Sequence, residues 1–212
     1  MAKRFYFKSS NIYEEKMVEF TYYNGFAISQ KQKCIESMHQ EIKKVENGNI
    51  LEVSTKSLNE IGKHLSAFNL KLIIDKNEYY IENIFQSSKV FELGGPYKDL
   101  LYKTPIEAKR DERIKSSGKI IGFDFNGIIY PAKPLTLFYD WIYCNAIYQN
   151  EELKNEIIKY DIFTDIEFNH NKSINTQARA AAIFVGLYKS GELEKALKDI
   201  EIFKNVVYTL LQ

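Results

Sequence analysis

Cysteine and histidine are scarce in this sequence, with two and three among 212 residues. Cys34 and Cys144 form no CxxC pair and fall in stretches patterned as helices, which argues against a disulfide framework or a cysteine-ligated zinc site. His39, His64 and His170 do not cluster, so no histidine metal site is expected. Long apolar runs are missing too. None approaches the roughly 20 residues that a bilayer-spanning helix needs. The opening MAKRFYFKSSNIYEEK lacks the apolar stretch of a signal peptide, so the expectation is a cytoplasmic protein that makes no use of a membrane. Without secretion the lone sequon, Asn171-Lys172-Ser173, carries no meaning. Net charge is +1, which removes any global attraction to duplex DNA. A nucleic-acid substrate would have to be held locally, by a pocket with a small basic rim. The Walker loop, GxGxxG, GxSxG and HExxH are all absent. Rossmann dinucleotide binding is excluded, and no metal or cofactor is expected.

What is present suits a globular fold. Fifteen Tyr and fourteen Phe, within 45% hydrophobic residues, are ample for one core. Short strands are expected at 5–7, 18–23, 51–54 and 68–74, with 79–81 returning as a hairpin arm. Ser29 followed by Gln32 matches a capping box, opening a helix whose stripe is Ile35, Met38, Ile42 and Val45 and which Asn47-Gly48 stops. A helix is read from about 82 to Gly94-Gly95-Pro96, and a charged one over 104–114. Asn126-Gly127 between apolar runs is the strongest hairpin signal. Helices follow at 135–148, 151–160 and 174–188. A last one from 192 carries Leu193, Ala196, Leu197, Ile200, Phe203, Val207 and Leu210 on one face. The fold class is therefore α+β: a helix-dominated single domain with small antiparallel strands and hairpins. Residues 1–50 read as an N-terminal extension, 51–190 as the core and 191–212 as a C-terminal helix.

Four patches are polar yet structured. They are LSAFNL (65–70), YIENIFQSSKVF (80–91), FYDWIY (138–143) with the only Trp, and FTDIEFNHNKSINTQARAAA (163–182). In the second, at about 100° per residue, Glu82, Gln86 and Lys89 lie within about 60° of one another on a helix. That stripe is either a solvated face or a carboxylate, an amide and an amine aimed at one ligand. In the fourth, Arg179 interrupts a row of alanines, as a surface charge or as a clamp for phosphate or carboxylate.

The order of these patches resembles the NADAR superfamily (YbiA-like proteins), whose familiar pattern is LSNF…Y.S.E..FQ..K. Together with SQKQKCIESMH and STKS, they are similar to the branch associated with DarT-type DNA ADP-ribosyltransferase toxins. The resemblance runs from about Phe20 to Leu187. It departs near the end, where the usual tryptophan-glycine element and N.LG..LM..R give way to FNHNKSINTQARAAA; only the Asn-then-Arg order survives, in Asn175 and Arg179.

The resemblance implies an antitoxin that hydrolyses the N-glycosidic bond between ADP-ribose and guanine in DNA. The implied partners are ADP-ribosylated DNA, the ADP-ribose product and a cognate DarT-type toxin. Other superfamily members act on ribosylated pyrimidine intermediates, so a small phosphoribosylated base is an alternative substrate. A binding module without turnover is a third possibility. On this reading Glu82 is the general acid and base, and Lys89 is an amine able to form a Schiff base with the opened sugar. Gln86 orients either one. Asp165 or Glu167 holds ribose hydroxyls or activates water, or else simply caps a helix. Ser66, Phe68 and Asn69 line the nucleotide pocket, although Phe68 also suits a core. Tyr139 and Trp141 stack on a base or belong to the core. Lys31 and Lys33 meet phosphate, and Asn175 and Arg179 complete the set. The basic residues within 103–119, Lys109 among them, are a DNA-facing rim or a solvated helix.

Overall fold

The computed structural model describes residues 1–169 and 174–208. His170, the sequon and Leu210 lie outside the described residues. In chain order the elements begin with β1 (Ala2–Lys8), β2 (Glu14–Phe20), α1 (Ile28–Lys43), β3 (Ile50–Glu52) and α2 (Glu60–His64). Next come β4 (Lys71–Ile74), β5 (Asn77–Tyr80), α3 (Ile81–Ser88), β6 (Lys89–Phe91) and a short 3₁₀ helix (Lys98–Tyr102). Then follow α4 (Pro105–Arg110), α5 (Glu112–Ser116), β7 (Ile120–Phe125), β8 (Ile128–Pro131), α6 (Leu137–Gln149) and α7 (Glu151–Ile157). The described chain ends with β9 (Ile162–Thr164), α8 (Gln177–Ser190), α9 (Leu193–Leu197) and α10 (Ile200–Tyr208). This is the expected α+β class, helix-dominated with small sheets.

The first sheet has the order β2-β1-β9-β3, antiparallel except for the parallel pair β3–β9. Its two faces alternate with period two. Tyr6, Val18, Phe20 and Ile162 pack under α1 through Cys34, Ile35, Met38 and Ile42, while Phe7 and Phe163 face the main core. α6 and α8 form the centre of that core. Ala178 and Ala180–Ala182 are fully buried, which lets the α8 backbone approach its neighbours closely. At Gly186 the approach is absolute, because a Cβ there would lie 1.8 Å from the carbonyl oxygen of Ile12. The hairpin β7–β8 turns at Asn126-Gly127 with both residues at positive φ, as the dipeptide predicts.

Several boundaries differ from the expectation. α1 starts at Ile28 with Ala27 as N-cap and no side-chain cap, so Ser29 lies inside the first turn and the Ser29/Gln32 capping box is not formed. The helix ends before Val45, which is exposed. The charged helix breaks into α4 and α5 at Asp111, whose side chain accepts from the Arg113 amide and starts a new helix. The C-terminal segment divides the same way at Asp199, which accepts from the amides of Glu201 and Ile202. Its apolar face is otherwise as expected, with Leu193, Ala196, Leu197, Ile200, Phe203 and Val207 buried. Among the described residues no helix is long and apolar enough to cross a membrane.

Candidate active site

The most consequential boundary is at Ser88. α3 is buried on every side and stops there, and Lys89 is extended (φ −62°, ψ 126°), paired with Phe123 of β7. The expected helix through 91 is therefore two elements, a short helix feeding a strand. β-branched Val90 and aromatic Phe91 prefer the pleated edge that β7 offers. The stripe survives the change. Gln86 Nε2 donates to Glu82 Oε1 at 2.7 Å, and Lys89 Nζ donates to Gln86 Oε1 at 2.7 Å. The three side chains are thus joined in one line on the wall of a cavity of about 730 Å³, within the range of small-molecule sites.

The start of α3 is held by the turn of LSAFNL. The Glu82 amide donates to the Ala67 carbonyl at 3.1 Å, and the Ile81 amide to that of Leu70 at 3.0 Å. Tyr143 anchors the same turn by donating from its hydroxyl to the Leu65 carbonyl. The Gln177 amide clamps it from α8, accepting from the Ala67 amide and donating to the Val53 carbonyl. Lys89 is nine-tenths buried, with its nitrogen 4.3 Å from the Phe85 ring centroid. Burial, helped by the nearby Lys109 charge and opposed by Glu82, pulls its ammonium down to about 8. An amine that is partly neutral near physiological pH is a competent nucleophile.

Asp165 follows β9 directly and lines the same cavity. Its Oδ1 accepts from the Glu167 amide at 3.1 Å and its Oδ2 from Thr176 Oγ1 at 3.3 Å. Burial, and then the charge of Glu52 behind it, push this carboxyl up to about 8. Glu167, Phe68, Tyr139 and Asn175 also line the cavity. Tyr139 meets Phe85 edge-on at 5.1 Å, so its ring is wall rather than a free stacking platform. Lys109 reaches the cavity over the Phe68 ring, 4.9 Å from its centroid. Lys31 reaches only the rim, through a 3.2 Å ion pair with Glu167.

Other expected residues are placed elsewhere. Ser66 is buried beneath the turn, where its hydroxyl caps the Phe68 amide. Asn69 lies in a different surface depression and donates to the Lys63 carbonyl. Trp141 packs on Tyr130, in a third depression. Lys33 is exposed on α1, outside the cavity lining. Arg179 is turned inward. Its guanidinium forks onto Asp140 of α6 at 3.1 and 3.2 Å and donates to the Ile174 carbonyl, so it ties helices together instead of reaching into the cavity. Burial makes that pairing necessary, since an unpaired guanidinium there would be costly.

Sequence reasoning missed Glu52, Thr176 and Gln177. For Glu52 a signal existed: one acid inside the apolar strand ILEV, where an apolar side chain is the ordinary occupant. Gln177 offered none, because its role is set by a turn more than a hundred residues away.

The family model for the DarT1-associated NADAR antitoxin matches residues 2–211. The chain belongs to the DarT1-associated NADAR antitoxin family. No curated protein matches it at a significant level. Family membership places it among antitoxins within the NADAR superfamily, whose members are generally glycosidase-like hydrolases.

Proposed function

We propose that this NADAR-family protein is a hydrolase that removes ADP-ribose from guanine bases in DNA, as antitoxin to a DarT-type transferase. The observation that carries the reading is the line Glu82–Gln86–Lys89 on the cavity wall. Breaking an N-glycosidic bond needs a proton for the departing nitrogen and a nucleophile at C1 of the ribose. Protonated Glu82 gives its proton to that nitrogen as the C1–N electron pair leaves. Water then adds to C1 and returns a proton to Glu82. Alternatively the ribose ring opens with the base still attached, so that C1 becomes an iminium to the guanine nitrogen. The neutral Lys89 amine adds to C1, the guanine amine leaves with a proton, and hydrolysis of the resulting lysine imine by water releases ADP-ribose. Gln86 holds both groups at the same bound ribose. Asp165, Glu167 and Asn175 of the same lining hold sugar hydroxyls, while Lys109 and Lys31 supply positive charge at its edge.

The net charge of +1 favours a small phosphoribosylated base as the second reading. One experiment separates the two. An oligonucleotide ADP-ribosylated on guanine is incubated with wild type, Glu82→Gln and Lys89→Ala. Release of ADP-ribose by wild type, lowered by about 10²–10⁴-fold in Glu82→Gln, is the expected result. Tight binding without release in wild type would make the protein a binding module. No binding and no release would leave the small substrate. Borohydride trapping of an adduct on Lys89 tests the imine, and absence of the adduct leaves hydrolysis by water.

A further inference from the structure

Behind the cavity wall lies a second carboxylate that the proposed chemistry does not use. Glu52, at the end of β3, is 3% exposed and accepts three hydrogen bonds. Ser54 Oγ and the Ile166 amide donate to its Oε1 at 2.7 and 2.8 Å, and Thr164 Oγ1 donates to its Oε2 at 2.6 Å. Thr164 and Ile166 are the two residues on either side of Asp165. Glu52 therefore grips the chain immediately before and after the residue that enters the cavity. The parallel pairing of β3 with β9 puts Glu52 in register with Thr164 and makes this grip possible.

We propose that Glu52 is a positioning residue for this site: it fixes Asp165 at the cavity wall, and the two carboxyl groups hold one proton that Asp165 presents to the bound sugar. The inference rests on the cavity being the substrate site, but its test needs no substrate.

Which partner carries the charge follows from their donors. Among the described residues Glu52 receives three hydrogen bonds at 2.6–2.8 Å, whereas Asp165 receives two at 3.1 and 3.3 Å. Donors aimed at a carboxylate stabilise its ionised form. Two buried carboxylates whose charges act on one another do not both ionise readily, so Glu52 takes the charge and Asp165 keeps the proton. Beyond Thr164 the chain of bonds ends at His39 of α1, whose Nε2 lies 2.8 Å from Thr164 Oγ1. Because the Thr164 proton goes to Glu52, His39 donates, and burial keeps it neutral with its value lowered to about 4.

The other described groups around the pair are few. Lys109 favours ionisation of Asp165; burial first, and Glu167 more weakly, raise Glu52, and the three donors from Ile166, Thr164 and Ser54 oppose that rise. Thr176 donates to Asp165 from the start of α8, and Glu82 and Lys89 line the same cavity. Tyr139 and Tyr143 of α6 are held neutral by burial. An O–H group at Asp165 can donate to a ribose oxygen, which an ionised carboxylate cannot do. The same cavity lining thus offers a donor at Asp165 together with the carboxyl of Glu82 and the amine of Lys89.

The test is a carboxyl ¹³C NMR titration of selectively labelled aspartate, with Asp165→Asn assigning the resonance. In wild type Asp165 should titrate near 8. In Glu52→Gln, which keeps the size and removes the charge, it should titrate at least about one unit lower. Thr164→Val serves as the second variant should Glu52→Gln fail to fold. Loss of its hydroxyl donor moves the shared proton towards Glu52 and lowers Asp165 in the same direction. A wild-type Asp165 titrating in the ordinary carboxylate range would overturn the proposal. So would an Asp165 titration unmoved by a folded Glu52→Gln or by Thr164→Val. None of these outcomes depends on which glycosidic bond the protein cleaves.

Discussion

Lys89 is a buried cation held by one amide oxygen and one aromatic face, and its burial has consequences for both stability and rate. Its folded-state value, about 8, lies below the 10.5 of an ordinary lysine. Between those values the unfolded chain binds the extra proton, so this residue makes stability rise with pH across that window. Lys89→Met should remove the cost of the buried ammonium and raise the melting temperature at pH 7, with activity lost. A melting temperature lowered at pH 7 would mean that the ammonium is well solvated. Turnover that uses the neutral amine should rise as pH approaches 8 from below. A Lys89-dependent rate that is flat from pH 6 to 8 would remove the amine from the mechanism.

At the scale of elements, a few residues decide how helices meet and where they stop. Gly186 lies in α8 against the Ile12 carbonyl, and Ile12 itself is held at φ 72°, unusual for a β-branched residue. Two effects oppose each other in Gly186→Ala. Helix propensity favours Ala by about 1 kcal/mol. A Cβ at 1.8 Å from a backbone oxygen cannot be accommodated without moving the segment around Ile12, and overpacking of this kind typically costs about 1–3 kcal/mol. The clash should win, so the denaturant midpoint of Gly186→Ala should fall. An unchanged or higher midpoint would show that the 9–13 turn shifts freely. The same reasoning explains the split of the charged segment. Asp111 supplies a cap in mid-run, and no periodicity in the sequence overrides a side chain that satisfies a backbone amide locally.

Across the whole molecule, the buried pair Arg179–Asp140 joins α8 to α6, and Tyr208 of α10 donates to the same Asp140 at 2.6 Å. Three helices thus meet on one carboxylate. Arg179→Ala leaves Asp140 buried without its cation and should destabilise the protein by about 3–5 kcal/mol. The KM of the molecules that stay folded should change little. A phosphate clamp would behave oppositely, with KM rising sharply and the unfolding midpoint unchanged. The pair also shows why Arg179 was ambiguous in the sequence. A lone Arg among alanines fits a ligand clamp or an ion pair equally well, and its partner lies 39 residues away.

Much was legible from local patterns. Strand and helix periods, the Asn126-Gly127 hairpin and the α+β class follow from side-chain alternation and turn chemistry, which act over a few residues. Glu82 and Gln86 were also legible, because a four-residue step on any helix brings them together. Lys89 joined them for a different reason from the one the spacing suggested: the helix ended first, and the strand carried the amine back to the same wall. Asn69, Trp141, Lys33 and Arg179 have residue types suited to a nucleotide site, and only the packing of distant segments puts them elsewhere. Glu52 is the converse case. Its meaning depends on β3 lying parallel to β9, a pairing between strands about a hundred residues apart that no local period encodes. Local chemistry thus set most of the elements and marked out the carboxyl of Glu82 and the amine of Lys89. Long-range packing chose which carboxylates share a cavity, because burial and charge separation belong to the assembled chain.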